Sequence, residues 1–289
     1  MRSLLAAVCI VAVALVPACS QDKPPNSWFD SPGYHVRENK VYYLVGFPGK
    51  ASEIAGADAA SFETFDGTYA RDKSTVYFTG RPIPDADPAS FELLDRPGYF
   101  KDRQHVYLQD RPISDDPAHF ELLDGGLAKD NKDVYWSDGS VLSDDPAHFT
   151  IVSNQDHYLF TKDRRTVHVN GNPITGADPA TFEVLAGAYS RDAQRTFYFA
   201  EQIADADRGS LRPLDGPYAS DDRHVYWMGK PIDGADPRTF RVLNADFECS
   251  ADQQRAYYRL TVIANADPRT FPPDRAVTYC DETSIRFNN

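Results

Sequence analysis

The chain has 289 residues, 42% of them apolar and 25% charged, which is enough apolar material for a core and too much for a disordered chain. Asp and Glu total 43 against 30 Lys and Arg, a formal net charge of -13, and the basic residues are scattered singly among aspartates, so a nucleic-acid groove is not expected. Four cysteines without a CxxC spacing exclude a small disulfide scaffold, a zinc ribbon and a thioredoxin-type motif.

The N-terminus reads as a targeting segment. Arg2 provides a positive start, and Leu4 to Val16 is an apolar run shorter than the roughly 20 residues that span a bilayer as a helix. The run ends in Leu15-Val16-Pro17-Ala18-Cys19-Ser20, which resembles a bacterial lipoprotein signal. That resemblance implies removal of residues 1–18, lipidation of Cys19 and a membrane-tethered chain, and Ser20 in place of aspartate implies the periplasmic face of the outer membrane. An ordinary secretory signal is the alternative, and either makes the protein an exported one. Residues 19–33, with Pro24, Pro25 and Pro32, are expected to form an extended linker.

From residue 34 to 289 the chain repeats itself. The motif Asp-Pro-x-x-Phe begins at Asp87, Asp116, Asp145, Asp178, Asp236 and Asp267, with degenerate copies at Asp58 and Asp207, and the steps between aspartates are 29, 29, 29, 33, 29, 29 and 31 residues. Aspartate suits an N-cap, proline suits the first helical position, and the phenylalanine drops back onto a core, so each copy is expected to be a one-turn helical corner capped by its aspartate. A second motif is a basic residue and aspartate, followed four and five residues after the aspartate by an aliphatic and an aromatic, as in Arg71-Asp72 to Val76-Tyr77 and Lys101-Asp102 to Val106-Tyr107. That aspartate is expected to make an Asx hydrogen bond in a tight, solvated turn. Next, Thr75 to Ile83 puts β-branched and aromatic residues around Gly80, the pattern of a short hairpin, and Asn170-Gly171 and Met228-Gly229 occupy the same turn. Pro82, Pro112, Pro173 and Pro231 come after the turn, so the strand there must be short or point that nitrogen away from a partner.

Segments such as Lys129-Asp130-Asn131-Lys132-Asp133-Val134-Tyr135 resemble the DKNYY family of bacterial repeat proteins, and the resemblance covers residues 34 to 289. It implies a repeat architecture and carries no established activity. The expected fold is all-β: a tandem array of about eight 29-residue β-hairpin repeats, openly stacked and solenoid-like, with a β-propeller as the alternative. Cys249 and Cys280 each lie nine residues after a corner phenylalanine and are expected to occupy one position of successive units and to form a disulfide in an oxidising compartment. Directly paired strands of adjacent units would bring such positions about 4.8 Å apart, within bridging range, whereas packed propeller blades would be about 10 Å apart.

Chemistry is harder to find. His119 and His148 share a repeat position occupied elsewhere by Ser90, Thr181, Thr239 and Thr270, which marks a variable surface site more than a zinc site. Paired corner acids such as Asp144 and Asp145 lack the spacing of an EF-hand loop. No GxSxG, P-loop or HExxH motif occurs, and the Ser20-to-Lys23 SxxK lies in the expected linker. The reading is therefore a non-enzymatic, envelope-tethered scaffold with no cofactor or metal, binding a protein or envelope polymer. The alternatives are an immunity or inhibitor protein that masks a basic effector and, further off, a hydrolase using corner carboxylates.

Overall fold

The computed structural model describes residues 23–288. Among these the protein is built from short antiparallel strands, and its only helical pieces are single 3-10 turns at Asp124–Gly126 and Pro268–Thr270. No helix among the described residues is long and apolar enough to cross a membrane. The strands form nine small sheets in tandem, seven of four strands, with a three-stranded one first and a two-stranded one last. The chain divides at Ala118 and His119 into two compact segments.

One unit illustrates the rest. Arg212–Pro213, Tyr218–Ser220, Val225–Trp227 and Lys230–Pro231 pair in chain order as a meander. Met228 and Gly229 both have positive φ, 47° and 74°, as a two-residue turn matched to the strand twist requires. Pro231 lies opposite Tyr226, and the next amide, Ile232 N, donates to Val225 O at 2.8 Å. The proline thus falls where the ladder needs no donor, and the fourth strand is left as a short edge. A Cβ on Gly229 would sit 2.6 Å from the Cβ of Tyr198 in the preceding unit, and one on Gly171 would press on the Trp136 ring. The turn glycines therefore serve the packing of unit on unit as well as the turn.

The core lies between sheets. Tyr218, Val225 and Ile232 cluster with Tyr257 of the next unit, and Phe160, Val167 and Val169 cluster with Phe182 and Phe197. Burying one such side chain contributes about 2–3 kcal/mol, so each unit depends on a neighbour for most of its stabilisation. Two tyrosines at the start of the second strand also latch forward: Tyr189 Oη donates to Pro217 O at 2.8 Å, and Tyr69 Oη to Gly98 O at 2.9 Å.

Two expectations change here. The Asp-Pro-x-x-Phe corners are capped turns rather than helices, and only Pro268–Thr270 closes a 3-10 turn, because the chain re-enters a strand within a residue or two of the phenylalanine. The expected extended linker is attached from residue 23: Asn26 bridges Lys50, and Arg37 binds Asp30 at 2.5 Å and the Lys23 carbonyl at 2.9 Å. The prolines set its course, while the Arg37 pairing ties it to the first sheet. Residues 1–22, with the targeting segment and Cys19, lie outside the described residues.

Candidate functional site

The recurring chemistry of the sequence is used inside the fold. Asp221 is fully buried and accepts four hydrogen bonds. Its Oδ1 takes Arg223 N at 2.7 Å and His224 N at 2.6 Å, while its Oδ2 takes Tyr226 Oη at 2.7 Å and Asp207 N at 2.8 Å. One carboxylate, a latch aspartate, thereby closes its own turn, holds the third strand and fastens the preceding corner. Asp72, Asp102 and Asp252 repeat all four contacts, with the Asp58, Asp87 and Asp236 amides as the corner donors. Asp192 keeps the corner bond to Asp178 N at 2.9 Å but faces Phe197, which has no hydroxyl. At Asp163 a serine intervenes: Asp145 N donates to Ser143 Oγ at 3.1 Å, and Ser143 Oγ donates to Asp163 Oδ2 at 2.6 Å.

The Asx bond is legible in the sequence, whereas the burial is not. Burial by itself would raise these carboxyls' pKa values, but the hydrogen bonds from backbone amides and tyrosines outweigh it and hold them low, Asp72 at about 2. Burial, with the carboxylate beside it, pushes Tyr77 up to about 12. An unfolded aspartate titrates near 3.9, so these groups contribute stability that is fully present above about pH 4 and is lost as pH falls toward about 2. Urea midpoints measured from pH 6 to pH 2 should be nearly level above pH 5 and drop steeply below 4. A level profile down to pH 2.5 would show that the carboxylates are not held in this way.

The second segment also carries a cavity of about 560 Å³, formed where the turns between first and second strands of four successive units come together. Asp156 stands in the first of these turns, Gly187 in the second, Asp215 to Pro217 in the third and Ala245 to Glu248 in the fourth. Tyr158, Tyr198, Leu214 and Met228 supply apolar and phenolic wall. Burial raises the Tyr198 pKa, as does the neighbouring Tyr158, so the phenol is neutral at physiological pH. Asp156, Asp215 and Asp246 are exposed at the rim, Glu248 is paired with Arg259 at 2.5 Å, and among the described residues no Lys or Arg lines the cavity. The size suits a small ligand or an inserted side chain, and the lining suits one with an apolar body and a positive charge.

The family model described as the DKNYY family matches three overlapping stretches, residues 34–158, 69–201 and 127–261. The chain belongs to the DKNYY family. No curated protein and no solved structure matches it. The motif of this DKNYY chain is the latch described above: in the Lys129-to-Tyr135 copy, Asp130 Oδ1 accepts Lys132 N and Asp133 N, and Tyr135 Oη donates to Asp130 Oδ2 at 2.6 Å.

The remaining sequence candidates separate into distinct places. Corner aspartates Asp87, Asp178, Asp236 and Asp267 each accept the amide two residues on, at 3.0 or 3.1 Å. Asp116 N donates to Ser114 Oγ at 3.0 Å. Asp145 is engaged by His148 Nδ1 at 2.7 Å and Arg164 Nε at 2.9 Å, and its neighbour Asp144 by Arg165. Among the described residues no group of three or more His, Cys, Asp or Glu is placed to hold a metal ion.

Cys249 and Cys280 are joined, with Cα atoms 6.0 Å apart, but they are not equivalent positions. Cys249 opens the strand Cys249–Ala251, three residues before its latch Asp252, whereas Cys280 closes Val277–Cys280, one residue before Asp281. The interval from corner phenylalanine to latch aspartate is twelve residues in one unit and ten in the next, so counting from the phenylalanine misaligns them. The two strands also belong to separate sheets, so the bridge does not join hydrogen-bonded partners. The cavity escapes sequence reasoning because its acidic rim comes from the variable first-to-second-strand turns, where the repeat leaves no signal.

Proposed function

We propose that the protein is a non-catalytic binding scaffold of the cell envelope, tethered through a lipidated Cys19 at the periplasmic face of the outer membrane, and that the cavity of its second segment receives a basic, partly apolar segment of a protein partner. The observation that carries this reading is the cavity itself: phenolic and aliphatic walls beneath exposed Asp156, Asp215 and Asp246, with no basic residue among the described residues that line it. The aliphatic stem of a Lys or Arg side chain packs on such a wall while its charge meets the rim carboxylates. The latch aspartates support the same reading from the other side, because they are consumed in holding units together and leave the turns as the working surface. An immunity or inhibitor role toward a basic effector is a specific form of this proposal, and the acidic rim favours it.

The test is calorimetric titration of the full detergent-solubilised chain with a nonapeptide of alternating Lys and Leu, and then capture from solubilised envelope. Binding at micromolar concentration is expected, weakened at least tenfold in the triple variant Asp156→Asn, Asp215→Asn, Asp246→Asn and abolished by Met228→Lys, which supplies the cavity with its own cation. Equal affinity of the triple variant and the unaltered chain, or equal binding of a Glu/Leu nonapeptide, would remove the cavity from the proposal.

A further inference from the structure

Exposed aromatic surface is concentrated near the beginning of the described chain. Trp28 retains 73% of its full exposure, Phe29 90%, Val45 58% and Phe47 61%. Trp28 and Phe47 meet edge to face with ring centroids 4.8 Å apart, so the two stretches carrying these residues form one platform. That platform is held in place from behind. Asn26 Oδ1 accepts Trp28 N at 2.9 Å, Asn26 N donates to Asp30 Oδ2 at 2.7 Å, and Arg37 grips Asp30 from the first strand, Gly33–Arg37. Pro24, Pro25, Trp28, Phe47, Pro48 and Lys50 line a shallow groove of about 430 Å³ beside it. Lys23 and Lys50, both exposed, add positive charge at its edge.

A platform fastened by its polar backbone and displaying its rings outward calls for a covering phase. Tryptophan and phenylalanine flanked by lysine fit the boundary between water and lipid, where amphipathic rings sit at headgroup depth and ammonium groups reach phosphates. Distance selects the same occupant. Trp28 lies nine residues after Cys19, and a chain of nine residue steps spans at most about 30 Å, so an acylated Cys19 keeps Trp28 within that reach of the bilayer surface.

We infer that Trp28, Phe29 and Phe47 rest in the headgroup region of the membrane that carries the anchor, with Lys23 and Lys50 on its phosphates. The inference rests on the tethered reading of Cys19 and deepens it: the first sheet lies on the membrane instead of hanging from a free tether.

The experiment uses the full chain expressed with its own N-terminus and reconstituted into vesicles of phosphatidylethanolamine and phosphatidylglycerol, with lipids brominated near the headgroup. Bromine should quench a component of tryptophan emission that is absent from Trp28→Phe and several-fold smaller in Phe29→Ser/Phe47→Ser. Emission from the vesicle-bound chain that is unchanged by bromine, or quenching that persists in Trp28→Phe, would overturn the inference. The mass of the N-terminal peptide reads the tether separately: a lipidated Cys19 with unquenched Trp28 defeats the platform and spares the anchor. An unmodified Cys19 defeats the anchor, and quenching by the same vesicles at high lipid then decides the platform alone.

Discussion

Asp221→Asn is expected to destabilise the second segment by about 2–4 kcal/mol, although it changes one atom and leaves the volume intact. The wild-type carboxylate accepts from two amides on Oδ1 and from a tyrosine hydroxyl and a third amide on Oδ2. An asparagine oxygen can keep the first pair, but its NH2 then faces the Tyr226 hydroxyl and the Asp207 amide. The hydroxyl can rotate to accept, whereas the amide cannot, and a buried N–H is left opposing another donor. Tyr226→Phe is the control, since it removes only one of the four donors, and the Asp192 unit already carries Phe197 at that position. That substitution should cost only about 1 kcal/mol. Urea unfolding of both variants measures the contrast. If the two lose equally, the hydroxyl and not the corner amide is the essential donor, and the coupling of corner to turn through one carboxylate is wrong.

The same carboxylate marks the limit of what residues alone reveal. The period, the short strands, the glycine turns and the displaced prolines are legible because each is a local signal: Met228-Gly229 demands positive φ, and Pro231 forbids a ladder donor wherever it stands. The burial of Asp221 is not legible, because its fourth donor is Asp207 N, fourteen residues upstream, and an aspartate in a polar turn looks solvated until that corner folds over it. The corners resemble one-turn helices in sequence because capping chemistry is shared by helices and turns, and only the early return to a strand decides between them. For the cavity, repetition works against detection. Self-similarity draws attention to the recurring positions, whereas Asp156, Asp215 and Asp246 stand in first-to-second-strand turns of differing length and composition. The platform of Trp28 and Phe47 is hidden for a further reason, since the stretch leading to it carries the prolines of a linker and gives no sign that Arg37 pins it down.

Reduction of the Cys249–Cys280 bridge should release the C-terminal end of the chain while the preceding units stay folded. The bridge closes an interval of 31 residues, which in the chain-entropy model stabilises that end by about 3–4 kcal/mol. The terminal unit has little else to replace it. Its sheet has only the strands Val277–Cys280 and Ile285–Phe287, and it contributes Val277, Phe271 and Phe287 to the last apolar cluster. Two earlier units latch forward through a tyrosine at the start of the second strand, Tyr189 to Pro217 and Tyr69 to Gly98. At the final junction that place is held by Cys249, so the covalent bond stands where the hydroxyl latch would be. Stability in such arrays is close to a sum of unit and junction contributions, so the loss stays local. Hydrogen exchange read by mass spectrometry, with and without a reductant, should show amides of 277–287 exchanging at least about a hundredfold faster once the bridge is broken, and those of Tyr218–Ser220 unchanged. The Cys280→Ser chain should match the reduced protein. Equal exchange of 277–287 in both states would mean that Asn244, which donates to Val277 O at 2.9 Å, and the apolar cluster hold the terminus without the bridge.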